Sequence, residues 1–437
     1  MQIILLSGGS GKRLWPLSND IRSKQFLKLL TDENGNKESI VQRTFSQIRI
    51  TQPDAHITIA TNEAQADIIK SQLGQSVDIV IEPERRDTFP AIALACAHLF
   101  YEKNISDNEA IFVLPCDPFT EVEFFRTLSK LEKIINANTA DIALIGIKPL
   151  HPTSKYGYIV PSSEIEPGEY SVSHFVEKPD EEKAAQLIKE GAYWNGGVFA
   201  FKLGSILNAA KSNVDFNNFN ELYKKYSELQ KISFDYKIVE NAKRIAVVPY
   251  SGKWTDIGTW CTLAEEMPET ALGLVTRKKT HNTFIVNELN IPLIALSTKD
   301  VVIAASPDGI LVSDLSESSQ LKQFVDTLEN TQPMYEERHW GESTVLGKYA
   351  HSQVKHLYFA AGKFISNQPH KYSTKIWVIA SGEGNFTLGC DRKKIVTGDI
   401  LKIEYGQKHK IEAISDLHII EIQTGNKLDE NDIQKFE

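Results

Sequence analysis

The first residues whose types and spacing could do chemistry form a glycine-rich segment, directly after a short apolar run at the start of the chain. The segment reads Ser7-Gly8-Gly9-Ser10-Gly11-Lys12-Arg13. Glycines allow backbone N–H groups to approach phosphate oxygens closely, and the cations Lys12 and Arg13 would add positive charge. The spacing matches neither the G-x-x-x-x-G-K-[ST] loop of ATPases nor the G-x-G-x-x-G loop of dehydrogenases. From spacing alone, two interpretations stay open: phosphate binding by Gly8, Gly9, Gly11 and Lys12, or a purely structural turn.

Further polar residues follow apolar segments at positions that a ligand could reach. Asp117 comes just after an apolar run, and Asp256 lies between two tryptophans. Open α/β sheets bind ligands at the carboxyl ends of strands, which is where Asp117 is expected. Pro179 disfavours helical backbone at Lys178, so this lysine could point into a cleft. The alternatives are a turn or helix-cap role for each aspartate and a surface salt bridge between Glu177 and Lys178.

The elements that must position these residues alternate between strand and helix along the first 150 residues. Strands are predicted over 3–6, 57–61, 77–81, 110–114 and 141–147, and helices over 39–48, 63–72, 90–103 and 121–137. This alternation predicts an α/β fold with a doubly wound, mostly parallel sheet. The pattern then loosens, with strands near 157–160, 173–176, 197–202 and 244–249 and helices near 181–190 and 218–230. We expect one catalytic domain over residues 1–265.

The remainder of the chain is predicted to be rich in strands. A polar linker over 267–282 opens a small β-rich domain, residues 266–332, which ends in a helix at about 318–329. Polar residues and Pro333 at 330–338 indicate a second boundary. Short, evenly spaced strands then predict a small barrel or sandwich over residues 333–437.

Composition limits the classes of partner. The 437 residues carry 48 Lys and Arg against 57 Asp and Glu, for a formal charge of -9, and no basic block that a nucleic-acid binder would need. No apolar run approaches the ~18 residues of a membrane span. The 4 cysteines form no C-x-x-C pair, which indicates plain thiols in a reducing compartment. We therefore expect a cytoplasmic protein with small-molecule partners.

A series of motifs continues from the glycine-rich segment in chain order. They are Arg13-Leu14-Trp15-Pro16-Leu17-Ser18, Lys24-Gln25-Phe26-Leu27, Glu82-Pro83-x-x-Arg86-x-Thr88-x-Pro90-Ala91, Leu114-Pro115-x-Asp117, Tyr156-Gly157-Tyr158-Ile159, Phe175-Val176-Glu177-Lys178-Pro179, Trp194-Asn195-Gly196-Gly197-Val198-Phe199, Phe234-Asp235-Tyr236 and Trp254-Thr255-Asp256-Ile257-Gly258-Thr259-Trp260. Together they resemble the sugar-1-phosphate nucleotidylyltransferases, specifically the mannose-1-phosphate guanylyltransferase branch. The resemblance covers at least residues 1–265.

The resemblance implies that GTP and mannose-1-phosphate react to give GDP-mannose and pyrophosphate, by in-line attack on the α-phosphorus. The attacking phosphate is already ionised near neutral pH, because a phosphate monoester has a second pKa of about 6. No general base is needed, so catalysis consists of aligning two anions and neutralising charge. Mg²⁺ is the implied cofactor, because it binds through one or two carboxylates together with substrate phosphates.

The expected site residues fall into four sets. The catalytic set is Arg13, Lys24 and Lys178; the nucleotide-binding set is Gly8, Gly9, Gly11, Lys12, Glu82, Arg86 and Asp87; the sugar-phosphate set is Gly157, Glu177, Lys178 and Asn195; the metal ligands are Asp117 and Asp256. Acidic residues in the loop 82–87 favour guanine, which offers N1–H and N2–H₂ to a carboxylate, whereas adenine has no N1–H.

Residues 340–437 resemble the cupin-like domain of type II phosphomannose isomerases. The matching residues are the run from Gln368-Pro369-His370-Lys371 through Lys375 to Gly382, then Gly398-Asp399, His409 and Glu421-Ile422-Gln423-x-Gly425. By this resemblance, Lys371 and Lys375 stand where the isomerases have a metal-site His and Glu. An ammonium removes a ligand and repels a cation, so we expect a structural, dimerisation or allosteric module.

Three alternatives stay open at this point. One is the same chemistry on another sugar-1-phosphate or nucleoside triphosphate, and one is a bifunctional enzyme that also isomerises mannose-6-phosphate. The third, from a different class, is a non-catalytic subunit that senses a nucleotide sugar. In each case the expected assembly is a homo-oligomer, most simply a dimer.

Overall fold

The computed structural model describes residues 1–9, 11–75, 77–328, 332–365 and 373–425. Three residues singled out above for the barrel, Gln368, His370 and Lys371, lie outside the described residues. Lys375 and His409 of the same region lie within them.

The first 266 residues build a large mixed sheet, two small strand pairs and the helices that cover them. The strands are β1 (Gln2–Ser7), β2 (Leu30–Thr31), β3 (Lys37–Glu38), β4 (His56–Asn62), β5 (Asp78–Glu82), β6 (Ala110–Pro115), β7 (Pro118–Thr120), β8 (Ile142–Ile147), β9 (Tyr158–Glu166), β10 (Glu169–Val176), β11 (Tyr193–Lys202), β12 (Ile245–Tyr250) and β13 (Trp254–Asp256). The helices are α1 (Ile40–Thr51), α2 (Glu63–Leu73), α3 (Thr88–Tyr101), α4 (Val122–Arg126), α5 (Leu128–Asn136), α6 (Glu181–Lys189), α7 (Leu203–Lys211), α8 (Phe219–Lys224) and α9 (Trp260–Glu266).

The large sheet has the strand order β5-β4-β1-β6-β11-β8-β12-β10-β9. β5, β4, β1 and β6 pair in parallel, as do β8 and β12, whereas β11 runs antiparallel between β6 and β8. The expected doubly wound α/β fold is confirmed, with antiparallel strands inserted into its second half. Because the connections lead in opposite directions from β1 and β6, the carboxyl ends of these strands mark the place where such sheets bind ligands.

Local sequence accounts for these elements. β1 and β6 are almost entirely apolar and buried, as expected for strands covered by helices on both faces. Ser39 forms a capping box with Gln42 at the start of α1, and Asn62 caps α2. The predicted helix over 121–137 is wrong in one respect, because it divides into α4 and α5. At the break, the Thr127 hydroxyl donates to the Phe124 carbonyl at 2.5 Å, competing with the helical backbone pattern.

Residues 267–328 form a small β unit. Its elements are β14 (Ala271–Leu272), β15 (Val275–Lys278), β16 (His281–Asn287), β17 (Leu293–Leu296), β18 (Lys299–Ser306), β19 (Gly309–Asp314) and the helix α10 (Leu321–Val325). The expected linker over 267–282 is wrong, because β14 and β15 lie in it and pair in parallel with β16 and β17. The predicted helix over 318–329 is also too long. Within the described residues it consists of a 3₁₀ turn followed by the short α10.

The small β unit shares a core with the residues after β1. Leu14 and Leu17 belong to the same buried cluster as Trp260, Val302 and Leu321. The unit is therefore anchored to the segment that leads from the glycine-rich residues. The boundaries 1–265, 266–332 and 333–437 stay predictions.

The last region consists of two antiparallel sheets around an apolar core. Its strands are β20 (Tyr335–Arg338), β21 (Gly341–Tyr349), β22 (Ser352–Phe359), β23 (Phe364–Ile365), β24 (Ser373–Ser381), β25 (Glu383–Leu388), β26 (Asp391–Val396), β27 (Ile400–Ile403), β28 (His409–Ala413) and β29 (Leu417–Gly425). One sheet has the order β20-β21-β22-β29-β24-β27, and the other β23-β28-β25-β26. The predicted β-rich architecture is confirmed. The boundary expected at 330–338 instead contains β20, which pairs with β21.

Candidate functional site

A cavity of about 330 Å³ opens where β1 and β6 end. Among its lining residues are Ser7, Gly8, Gly9, Lys24, Glu82, Arg85, Arg86, Asp87, Cys116 and Asp117. The glycine-rich segment, the loop after β5 and the residues after β6 thus meet at one place. This is the switch point that the sheet topology indicates.

Gly11 and Lys12 lie outside this cavity. A Cβ on Gly11 would overlap the Asn19 carbonyl oxygen and lie 2.8 Å from the Ser23 Cα, so Gly11 allows two loops to approach closely. The Lys12 Nζ lies 2.8 Å from the Asp326 Oδ1. Lys12 borders a second cavity of about 690 Å³ between the segment after β1, the small β unit and the start of the barrel.

Lys24 lies between the two predicted metal ligands. Its Nζ is 3.0 Å from the Asp117 Oδ2 and 2.8 Å from the Asp256 Oδ1. β13 pairs with β7 so that Asp256 stands opposite Pro118, which explains how two distant carboxylates converge. Burial acts to lower the pKa of Lys24, but the two carboxylates raise it above its usual value. The ammonium therefore stays charged at neutral pH.

Arg13 and Asp256 both lie next to Gly258. A Cβ built on Gly258 would lie 3.6 Å from the Arg13 Nη1 and 3.4 Å from the Asp256 Oδ2. The Arg13 side chain is exposed. A guanidinium is consequently available near Asp256.

A second group of polar residues lies around Gly157. The Glu177 side chain is 4% exposed; its Oε1 is paired with the Lys178 Nζ. The Glu177 Oε2 is buried and has no hydrogen-bond partner within the described residues. A Cβ on Gly157 would lie 2.5 Å from this oxygen and 2.7 Å from the Phe175 ring, so only glycine leaves room for the carboxylate.

Asn195 and Asp235 complete this group. The Asn195 Nδ2 donates to the Asp235 Oδ1 at 2.7 Å, and the Asn195 backbone N–H donates to the Gly157 carbonyl at 2.7 Å. Burial and the charge of Glu177 raise the pKa of Asp235 to about 6. Carboxylate and amide groups of this kind suit the hydroxyls of a sugar.

The nucleotide-side residues have partners of their own. The Tyr226 hydroxyl donates to the Glu82 Oε2 at 2.7 Å, and burial raises the pKa of Glu82. The Arg86 Nε donates to the Leu229 carbonyl, and Asp87 caps α3. Gly8, Gly9, Glu82, Arg86 and Asp87 all line the first cavity, whereas Asn195, Glu177 and Lys178 form the second group.

Three residues at the site were missed by the sequence reasoning. Asp235 lies in a motif that was noted without a role, and Arg85 is a further cation of the loop after β5 that lines the cavity. Tyr156 packs between Trp194 and Trp254, with ring centres 5.0 and 5.4 Å away. Burial and the charge of Asp256 raise the pKa of Tyr156 to about 12. Its position next to Gly157 in the Tyr-Gly-Tyr-Ile motif was the available signal.

The barrel interior holds an ion pair at Lys375. The Lys375 Nζ lies 3.0 Å from the Glu421 Oε2, which also accepts from the Trp377 Nε1 at 2.7 Å. Burial lowers the pKa of His409 to about 4, and the nearby Lys375 acts in the same direction. The described residues contain no group of three or more His, Cys, Asp or Glu side chains arranged to hold a metal. They also contain no helix long and apolar enough to cross a membrane.

Comparison with known proteins gives matches over nearly the whole chain. Residues 2–272 match the family described as Nucleotidyl transferase, and residues 326–437 match Mannose-6-phosphate isomerase C-terminal. Mannose-1-phosphate guanylyltransferase of Escherichia coli K12 is 28% identical over 99% of this chain and 97% of its own length. Alginate biosynthesis protein AlgA of Pseudomonas putida is 28% identical over 99% and 95%. A Thermus thermophilus crystal structure, described as mannose-1-phosphate geranyltransferase, superposes with a TM-score of 0.61 at 27% identity, over 75% of this chain and 99% of its own.

Proposed function

Since this chain belongs to the nucleotidyl transferase family, we propose that it joins GTP and mannose-1-phosphate to give GDP-mannose and pyrophosphate. The observation that carries the proposal is the convergence of Lys24, Asp117 and Asp256 beside the glycine backbone at the switch point of the sheet. The full-length similarity to mannose-1-phosphate guanylyltransferases supports the choice of substrates.

The chain's own residues supply alignment and charge. The backbone at Gly8 and Gly9 lines the cavity without side chains, so triphosphate oxygens can approach its N–H groups. Lys24 and Arg13 neutralise charge that develops at the α-phosphorus and on the leaving pyrophosphate. The mannose-1-phosphate oxygen attacks the α-phosphorus, the bond to the bridging oxygen of pyrophosphate breaks, and no proton has to be removed from the nucleophile.

Asp117 and Asp256 fit a divalent cation, and we assign them Mg²⁺. Both are hard oxygen donors, and Lys24 contacts one oxygen of each, the Asp117 Oδ2 and the Asp256 Oδ1, so each carboxylate still has its second oxygen for the ion. Two protein carboxylates suffice for Mg²⁺ when water and phosphate oxygens complete its coordination. When bound, the ion supplies charge stabilisation on the phosphates.

The sugar-phosphate side of the proposal rests on the group around Gly157. The Lys178 ammonium can pair with the phosphate, while the buried Glu177 Oε2 has capacity to accept from a sugar hydroxyl. Asn195 and Asp235 add further acceptors and donors. A hydroxyl that satisfied the Glu177 oxygen would remove the cost of leaving it unpaired.

Guanine preference is assigned to Glu82. Its carboxylate stands at the cavity wall, with the Oε1 3.5 Å from the position of a Cβ on Gly8. The Tyr226 hydroxyl uses one lone pair of the Oε2, so both oxygens can still accept from guanine N1–H and N2–H₂. A cytoplasmic location and a homodimer complete the proposal.

The test is pyrophosphate release by the purified protein with each pair of GTP, ATP or UTP and mannose- or glucose-1-phosphate, in Mg²⁺. We expect the highest kcat/KM with GTP and mannose-1-phosphate. Asp256→Asn should lower kcat by about 100-fold or more without loss of folding. Asp391→Asn on the barrel is the matched control and should leave kcat unchanged. Equal rates with ATP and GTP would exclude the guanine assignment, and an active Asp256→Asn would remove Asp256 from the metal site.

A further inference from the structure

β20, which leads into the barrel, also packs against α2 of the large sheet. Its Glu337 side chain is 6% exposed and accepts three hydrogen bonds. The Lys28 Nζ lies 3.1 Å and the Ser71 Oγ 2.8 Å from the Oε1, while the Gln72 Nε2 lies 3.1 Å from the Oε2. A buried carboxylate depends on such donors, so the contact is specific as well as close.

The same helix holds the turn that carries Lys24. The Gln65 Nε2 donates to the Ser23 Oγ at 2.6 Å, just before the 3₁₀ turn Lys24–Phe26. The Gln72 Nε2 donates to the Phe26 carbonyl at 3.0 Å, at the end of that turn. Side chains of α2 thus fix the backbone on both sides of Lys24, and Gln72 makes contact with the turn and with Glu337 at once.

Further contacts join β20 to the same region. Asp67 of α2 accepts from the Arg338 Nη1 at 3.4 Å and pairs with the His339 Nδ1 at 3.0 Å. The Arg22 guanidinium, one residue before Ser23, lies 4.9 Å from the centre of the Tyr335 ring. β20 is consequently held to α2 and to the loop before Lys24 through Tyr335, Glu337 and Arg338.

We propose that β20 is a structural part of the nucleotidyl transfer site and that Glu337 is a positioning residue for Lys24. Glu337 acts through Gln72 and Lys28 on the turn Lys24–Phe26, so that the ammonium stays between Asp117 and Asp256. The inference rests on the function proposed above for Lys24. It gives the strand entering the barrel a part in the transfer reaction that is independent of any chemistry in the barrel interior.

The test compares three variants, each of which removes one carboxylate charge from β20 or from its neighbour β21. Glu342 stands opposite Glu337 on β21, so Glu342→Gln is the matched control for Glu337→Gln. Glu337→Gln keeps one acceptor oxygen, whereas Glu337→Ala removes both. We expect kcat to fall about tenfold or more in Glu337→Ala and less in Glu337→Gln, because small displacements of catalytic groups are costly. The KM values for both substrates should change less than about threefold, since the substrate-contacting residues are retained.

A second readout does not depend on turnover. Amide hydrogen exchange of residues 23–28 should be faster in Glu337→Ala than in the wild type, and unchanged in Glu342→Gln. Should Glu337→Ala fail to fold, Lys28→Met removes one contact of a half-exposed side chain and should still lower kcat by about twofold to threefold.

Different results would contradict the positioning role of Glu337 and the proposed nucleotidyl transfer. A folded Glu337→Ala with kcat within about twofold of the wild type, or with unchanged exchange at residues 23–28, would overturn the positioning role. Absence of wild-type turnover with every substrate pair would contradict the proposed function instead, and the exchange measurement would still decide whether β20 holds the Lys24 turn.

Discussion

Asp235 combines a buried position with a nearby negative charge, and its ionisation is therefore linked to folding. Its pKa of about 6 lies above that of an unfolded aspartate, because burial and Glu177 disfavour the charged form. The native state therefore keeps a proton that the unfolded chain releases. The stabilisation from this proton is complete below about pH 4 and is lost as the pH rises through about 6.

The prediction for Asp235→Asn follows from this loss of stability with rising pH. The amide keeps the hydrogen-bonding shape without the charge, so the variant should gain about 1.4 kcal/mol of stability over the wild type as the pH rises from 5 to 8. Denaturant unfolding at each pH measures the difference. Asp215→Asn, at an exposed position, is the control and should show no such trend. A constant difference between Asp235→Asn and the wild type across this range would refute the assigned pKa.

Gly157 gives a second prediction at the scale of one residue. In Gly157→Ala the new methyl group would meet the Glu177 Oε2 and the Phe175 ring, so the carboxylate must move. We expect the KM for mannose-1-phosphate to rise about tenfold while the KM for GTP stays within about twofold. Steady-state kinetics with each substrate varied in turn checks this. A parallel rise in both KM values would place Gly157 outside a dedicated sugar-phosphate group.

At the scale of the elements, the loops that follow β1 can pack closely against one another because Gly11 has no side chain. Gly11→Ala should destabilise the fold by about 2 kcal/mol or more, because the Cβ would press on the backbone of Asn19 and Ser23. Gly9→Ala is the matched control, since no atom of the described residues, its chain neighbours apart, lies within 4 Å of its Cβ position. Thermal unfolding of both variants measures the contrast. Similar Tm values for the two would show that the loops can separate at little cost.

Elements with a strong local pattern could be predicted from the sequence, and those defined by distant partners could not. The buried apolar runs of β1 and β6 and the capped helices α1 and α2 lie within a few residues of their predicted bounds. β7 and β13 have three residues each and exist because they pair with one another. Motif resemblance singled out Asp117 and Asp256, which both contact Lys24 in the structure, whereas the contact of Glu337 with α2 has no local sequence pattern. The polar strand β15 is predicted as part of a linker, because its pairing with β17 is not apparent in the local sequence.

At the scale of the whole molecule, the barrel interior contains a buried ion pair between Lys375 and Glu421. Removing the cation in Lys375→Met leaves the carboxylate of Glu421, whose side chain is 3% exposed, without that partner. We expect a loss of about 3 kcal/mol in the free energy of unfolding. Lys394→Met breaks a pair whose lysine is 59% exposed and should cost less than about 1 kcal/mol. Equal losses in chemical denaturation would contradict the structural importance of the buried pair.

The same ion pair predicts that the protein does not isomerise mannose-6-phosphate. The Lys375 ammonium lies against the Glu421 carboxylate and would repel a cation placed there. Purified protein should therefore show no isomerase activity, with or without added Zn²⁺ or Co²⁺. Activity that disappears in His409→Ala would overturn this expectation and restore the bifunctional alternative.

The contact between Lys28 and Glu337 can form only after most of the chain has been translated. These residues are 309 positions apart in the chain. At ~5–20 residues per second, a ribosome needs roughly 15–60 s to proceed from one to the other. During this interval the newly made sheet lacks β20, so the side chains of α2 that contact Glu337 and Arg338 stay exposed to water until the barrel is made.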